Sequence, residues 1–238
     1  MRRLLIADIH AMLPAFEAVL GAADHVDQIV CLGDLVGYGP HPAECVDLLM
    51  SLDAVSVVGN HDAEVIHEPT YDLNSASSPH EYWLRWTYDR LTATHREFLA
   101  GLPASLRIED SVLGAVHVVH SVGDGRLYHG MDDAAVAGCI ADAPGHTVLC
   151  GHSHRAIDRV VGCRRLVCLP GVGQFRDGEA KPGFAIQEGD EVKFRYVDID
   201  LGAVARDVQA IGLPEAFCER WCRFITTGYD PVWSRPNG

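Results

Sequence analysis

Five short apolar runs punctuate the first two thirds of the chain, at residues 4–7, 28–32, 54–58, 115–119 and 147–150. Their length and apolar density predict buried strands. Helix signals separate the early ones. Pro14 opens a stretch that places Phe16, Val19 and Leu20 on one face, and Pro42 opens another with Cys45, Val46 and Leu49. The order is β-α-β-α-β. Residues 75–102 are aromatic and helical in pattern, with Thr94 and Glu97 spaced as a capping box before Phe98 and Leu99, so a helical cap beside the site is expected. Beyond Cys150 the pattern shortens to strands at 164–169, 183–187 and 191–197, divided by turns such as Glu188-Gly189-Asp190, which implies a second sheet packed on the first. Residues 203–211 and 214–225 read as two closing helices within 201–228, and 229–238 as a loose tail.

Each of the five apolar runs stops at polar residues able to bind metal. In an open sheet of this kind ligands bind at the carboxyl ends of the strands, so residues just past each run should converge. In chain order they are Asp8-Ile9-His10, Gly33-Asp34, Gly59-Asn60-His61-Asp62, His120 and Gly151-His152-Ser153-His154. Carboxylate, imidazole and amide oxygen together suit Mn, Fe, Zn, Ni or Co and require no thiolate. The pieces are weak one at a time. Five of them in order, all at strand ends, point to a metal site.

Composition narrows the class. With 238 residues and 48% hydrophobic content the chain can bury a sizeable core, and one domain over 1–228 is the expectation. A net charge of −14 repels nucleic acid and anionic membrane surfaces, whereas a site that first collects divalent cations still attracts a small phosphate. No stable nucleic-acid partner is expected. The apolar run at 4–7 is too short for a secretory signal, and no segment reaches membrane-spanning length, so a cytoplasmic location is expected. Eight scattered cysteines lack a CxxC pair and read as reduced, mostly buried thiols.

The blocks DxH, GDxxxxG, GNH[DE], a lone histidine after a strand, and GHxH together resemble the signature of the calcineurin-like metallophosphoesterases. The likeness runs to about Asp200 and includes the segments 33–40 and 173–178. It implies a four-layer αββα sandwich, two mixed β-sheets flanked by helices. It also implies two divalent ions, one held by Asp8, His10, Asp34 and His154 and the other by Asp34, Asn60, His120 and His152, with Asp34 shared. The implied chemistry is hydrolysis, by a hydroxide shared between the ions, of a phosphodiester or phosphomonoester of a small or nucleotide-like substrate. His61 is assigned to protonating the leaving oxygen or steadying the phosphoryl group, with Asp62 orienting its ring. Tyr38 and His41 are candidate substrate contacts.

The chain departs from that family at Ala11-Met12, where glycine and asparagine are usual, at Ser121-Val122, and at the shortened stretch 169–172. All three touch the rim of the cleft. A protein Ser/Thr phosphatase is the alternative, although the arginine of its DRG block is missing from Gly37-Tyr38-Gly39 and the chain reads GNHD for GNHE. A non-catalytic scaffold with the same fold is a further alternative, opposed by the complete ligand set. Among other residues, His117 should point away from His120 by strand alternation. Histidines 25, 41, 67, 80, 95, 129 and 146 are taken as solvent or packing residues, Trp83 and Trp86 as core, and Arg126, Arg155 and Arg176 as solvated charges.

Overall fold

Strand β1 (Arg2–Ile6) buries Leu4, Leu5 and Ile6 completely, because it lies inside a sheet with both faces covered. A computed structural model of the chain describes residues 1–176 and 180–228; Asp177, Gly178 and the tail expected over 229–238 lie outside the described residues. Helix α1 (Leu13–Ala22) carries the chain to β2 (Gln28–Cys31), and α2 (Pro42–Ser51) carries it to β3 (Ala54–Ser56). These three strands run parallel, β1 to β2 and β2 to β3. The short α3 (Asn60–Glu64) follows, then α4 (Pro79–Arg90) and α5 (Ala93–Gly101).

The chain next builds a second sheet from β4 (Ser105–Asp110) and β5 (Gly114–Val119), then α6 (Asp133–Cys139), β6 (Thr147–Cys150), β7 (Ile157–Val161) and β8 (Arg164–Cys168). It then returns to the first sheet through β9 (Gly183–Glu188) and β10 (Glu191–Tyr196), and closes with α7 (Leu201–Ala210) and α8 (Glu215–Thr227). The sheet orders are β10-β9-β1-β2-β3 and β4-β5-β6-β8-β7, both mixed. Leu5, Val30, Leu32, Val57, Val116, Val118, Leu149 and Val167 fill the space between the sheets. The outer face of the first sheet is covered by α1, α2, α4, α5, α7 and α8, and that of the second by α6. This is the four-layer αββα sandwich.

Several expectations need correction. The strands after Cys150 do not form the second sheet by themselves. Two of them, β7 and β8, extend the sheet of β5 and β6, and the other two return to the first sheet, β9 pairing with β1 and β10 with β9. The expected capping box at Thr94 and Glu97 is displaced: Thr92 is the cap, its Oγ1 accepting from His95 N at 3.2 Å while His95 Nδ1 accepts from Thr92 N. The reason is that α4 ends at Arg90 and the backbone is extended at Leu91 and Thr92, so the helix has already begun by Thr94. Strands β4 and β7 and helix α6 were not foreseen, since their apolar residues alternate singly or are too few to make a run. Trp83 and Trp86 are buried as core, and His117 is half-exposed on the face opposite Val116 and Val118. No helix among the described residues is long and apolar enough to cross a membrane.

The sheets are also tied by charge. Arg3 of β1 is ion-paired with Asp110 of β4, both side chains nearly inaccessible, and Arg3 Nε donates to Gln28 Oε1 at 2.7 Å. Burial pushes the Asp110 carboxyl up, but hydrogen bonds from Arg3 and from the N–H groups of Leu113 and Val112 outweigh it and hold it at about 2. Replacing Asp110 by alanine strands a buried guanidinium and should cost about 3–5 kcal/mol in urea unfolding. Because the folded value is depressed, this contribution is present above the ordinary carboxylate value of 3.8. It fades as pH falls from there toward about 2, which acid titration of the native protein and the variant would check.

Candidate metal centre

The donors sit at the ends of parallel strands on unusual backbone. Asp8, His10, Asp34, His152 and His154 all have positive φ, between 49° and 64°, a conformation that costs a residue with a Cβ about 1–3 kcal/mol. Ala11, at φ 54°, occupies the same region where the resembled family carries glycine. Hydrogen bonds between the loops hold these conformations. Asp8 N donates to Gly33 O at 3.0 Å, His10 N to Asp34 O at 2.9 Å, Gly151 N to His120 O at 2.9 Å, and Gly173 N to Asp8 O at 2.8 Å. A Cβ on Gly59 would stand 2.1 Å from Asp34 N and Oδ1, so only glycine lets the β3 loop approach this carboxylate.

Two groups of three donors result. The ligand atoms of Asp8, His10 and His154 lie within 4.8 Å of one another, and so do those of Asp34, His120 and His152. Asp34 faces both groups, with Oδ2 3.8 Å from His10 Nε2 and 3.2 Å from His120 Nε2. Its Oδ1 accepts from His61 N at 2.9 Å. Asn60 Oδ1 lies 2.8 Å from His152 Nδ1 and 3.2 Å from His120 Nε2. The structure thus brings together all seven residues expected as ligands. They come from both sheets, which meet along this edge.

Backbone carbonyls set the tautomers. His154 Nδ1 donates to Gln174 O at 2.9 Å and His120 Nδ1 to Leu32 O at 2.7 Å, which turns both Nε2 atoms toward the cluster. Burial keeps His10 and His154 well below the usual histidine value, so both rings are neutral and carry lone pairs. Burial pushes the Asp8 carboxyl up to about 7. For Asp34 burial acts in the same sense, but the charge and hydrogen bond of His120, with the charge of His61, outweigh it and hold the carboxyl well below the usual range. His120 is the counterpart: burial disfavours its charge, yet Asp34 and Asp8 raise it to about 10.

This donor set fits divalent metal. His10 Nε2 stands 3.3 Å from His154 Nε2, a lone-pair nitrogen, and His10 Nδ1 is buried with no hydrogen-bond partner among the described residues. A cation between the rings would take a lone pair from each, in place of the single N–H···N hydrogen bond that two neutral imidazoles can share across this gap.

His61 lies at the rim, its ring 5.3 Å from that of His10 and 4.9 Å from that of Tyr38. Asp62 does not orient it. Both Asp62 oxygens are taken by the N–H groups of Val36 and Gly59, each at 3.0 Å, so this carboxylate braces the loops. The partner of the ring is Glu64, whose Oε2 accepts from His61 Nδ1 at 3.1 Å. Burial lowers the His61 value, but Glu64, Asp34 and Asp62 outweigh it and leave the ring raised above 6.5. Tyr38 borders the cluster, stacked on Trp221 of α8 at 5.3 Å, with its hydroxyl 3.0 Å from His80 Nδ1. His41 is turned elsewhere: it flanks α2, and its Nε2 faces Asp207 of α7 at 3.6 Å. Arg176 is half-buried beside the cluster, its charge felt by Asp8, His10, His152 and His154. Glu64 and His80 were missed. Glu64 could have been found three residues after His61 on one helical turn, whereas His80 arrives from α4 with no local signal.

Comparison with known proteins bears on the fold and the family. A metallophosphoesterase crystal structure from Sphaerobacter thermophilus is 30% identical, with a TM-score of 0.77 over 93% of this chain and 98% of that one. A hypothetical protein from Pyrococcus horikoshii shares the fold at 19% identity, with a TM-score of 0.83 over 96% and 99% of the two chains. An uncharacterised protein of Methanocaldococcus jannaschii is 38% identical over 112 residues, 46% of this chain, and the match spans 44% of that relative's length. The family model of the calcineurin-like phosphoesterase superfamily domain matches residues 1–191, and the chain belongs to that family.

Proposed function

We propose that this protein is a phosphoesterase that depends on two divalent ions, held by Asp8, His10, Asp34 and His154 and by Asp34, Asn60, His120 and His152. The substrate on this reading is a phosphodiester or phosphomonoester of a small or nucleotide-like compound. The observation that carries it is the position of the Asp34 carboxylate, within reach of both donor groups and held anionic between them. The nitrogen and oxygen donors suit Mn, Fe, Zn, Ni or Co. Divalent cations bound there supply Lewis-acid polarisation of the phosphoryl group and an acidified water as nucleophile.

The chain's own residues do the rest. Arg176 gives positive charge at the edge of the cluster and steadies a phosphoryl oxygen. His61 donates the proton that the leaving oxygen needs, from Nε2, because Nδ1 is engaged by Glu64. Tyr38 walls the approach. A net charge of −14 disfavours polyanions and leaves small esters as the substrates, and the free cysteines suit the reducing cytoplasm.

Four outcomes are expected. Asp34→Asn should lose bound metal and lower turnover of a generic nitrophenyl diester by about 10³-fold or more, the equivalent of several kcal/mol of transition-state stabilisation. Activity lost to a chelator should return on adding Mn²⁺; a metal-saturated protein inert toward a diester, a monoester and a phosphopeptide alike would overturn the reading. His61→Ala should keep its metal yet lose about 10²–10⁴-fold in kcat with alkyl leaving groups, and much less with nitrophenolate, which needs no proton. In the native protein the alkyl-ester rate should fall as pH rises through a value above 6.5, since only the protonated ring donates.

A further inference from the structure

A second constellation of donors lies beside the proposed centre and is not used by it as a ligand set. His61 Nδ1 and Glu64 Oε2 are 3.1 Å apart, Glu64 Oε2 and His80 Nε2 are 3.5 Å apart, and all three atoms fall within 4.8 Å of one another. Four ligands placed tetrahedrally at zinc's usual bond lengths of about 2.0–2.1 Å stand about 3.3–3.4 Å from one another. The two measured separations bracket that spacing. The three side chains line one cleft with Tyr38 and Trp83, and Glu64 and His80 are exposed enough for an ion to enter and keep a water.

The surroundings prepare the set for a cation. A ligating imidazole ordinarily donates its other N–H to a fixed partner, which settles the tautomer. His80 has that partner: its Nδ1 is 3.0 Å from the Tyr38 hydroxyl. With the proton on Nδ1, the Nε2 lone pair is aimed at Glu64 Oε2, itself an acceptor that is held ionised by His61. In that tautomer two acceptors face each other at 3.5 Å, and a cation between them would take a lone pair from each. Two imidazoles and one carboxylate, with a fourth position open, form a zinc ligand set.

We propose that His61, Glu64 and His80 form a third divalent-cation site, of zinc type, whose occupation switches off His61. Entry of the ion displaces the Nδ1 proton of His61 to solvent and commits that lone pair to the metal. The ring is then unable to exist as imidazolium, and the proton it keeps on Nε2 is a far weaker acid than the one that imidazolium gives up. Excess Zn²⁺ is therefore an inhibitor acting beside the centre. This inhibitory arm rests on the role given to His61 above, whereas the binding arm does not.

The test compares the native protein with His80→Ala and Tyr38→Phe, each dialysed against buffered micromolar free Zn²⁺, with bound zinc measured by atomic emission. Native protein should hold one more zinc per chain than His80→Ala, whatever number the central donors retain, so the difference is read even if those donors were to bind nothing. Tyr38→Phe keeps all three ligands but loses the hold on His80, and should weaken this zinc by about 10-fold or more in calorimetric titration. With the Mn²⁺-loaded enzymes, the zinc concentration that halves alkyl-ester turnover should rise at least about 10-fold in His80→Ala, the ordinary cost of losing a metal-site partner. Equal zinc content in native protein and His80→Ala would overturn the proposal.

Discussion

The carboxylate of Asp34 is the point on which the rest of the structure turns. It is buried, ionised, and faced by histidines from three different loops, so its charge must be answered from within the protein. Burial alone would make it neutral, because the charged form loses its hydration. Instead the fold delivers His120 from one sheet and His10 and His61 from the other, and converts the cost of desolvation into attraction for positive charge. Everything nearby serves that delivery. The β3 loop can close on Asp34 only because Gly59 has no side chain, and the donors adopt strained backbone that the interloop hydrogen bonds maintain.

Packing and electrostatics are coupled through the pairing of the sheets. The strands that carry Asp8, Asp34 and Asn60 belong to one sheet, and those that carry His120 and His152 to the other. The apolar contacts between the sheets, from Leu5 and Val30 to Val118 and Leu149, therefore set the distance between the two donor groups. At the far end of β1 the Arg3–Asp110 pair fixes the same sheets by charge. A close-packed interior transmits small displacements instead of absorbing them. Changes between the sheets, far from any donor, thereby reach the cluster.

Much of this was legible in the chain, and the reasons are physical. A buried strand must be uniformly apolar, so β1, β2 and β6 declare themselves, and polar residues directly after them have to find partners. That logic located Asp8, His10, Asp34, Asn60, His120, His152 and His154, all of which the fold gathers. It could not apportion strands between two sheets, because apolar density records burial and not which neighbour does the burying. Strand β4 escaped since Leu106 and Ile108 are the only apolar residues of its six, and the third inward position is the charged Asp110. Asp62 was misassigned because adjacency in sequence suggested adjacency of side chains, whereas successive residues on a helical turn diverge and the residue three along, Glu64, comes back to the same side. His80 depended on where α4 docks, a fact of tertiary packing.

The docking of α8 has a consequence for the approach to the cluster. The matched family domain stops at residue 191, yet Trp221, thirty residues later, stacks on Tyr38, and Tyr38 in turn touches the rings of His10 and His61. The wall around the donor cluster is thus furnished partly by residues beyond the matched domain. A change in α8 would therefore reshape the approach to the cluster while every donor stays in place, so the common domain by itself does not define that approach.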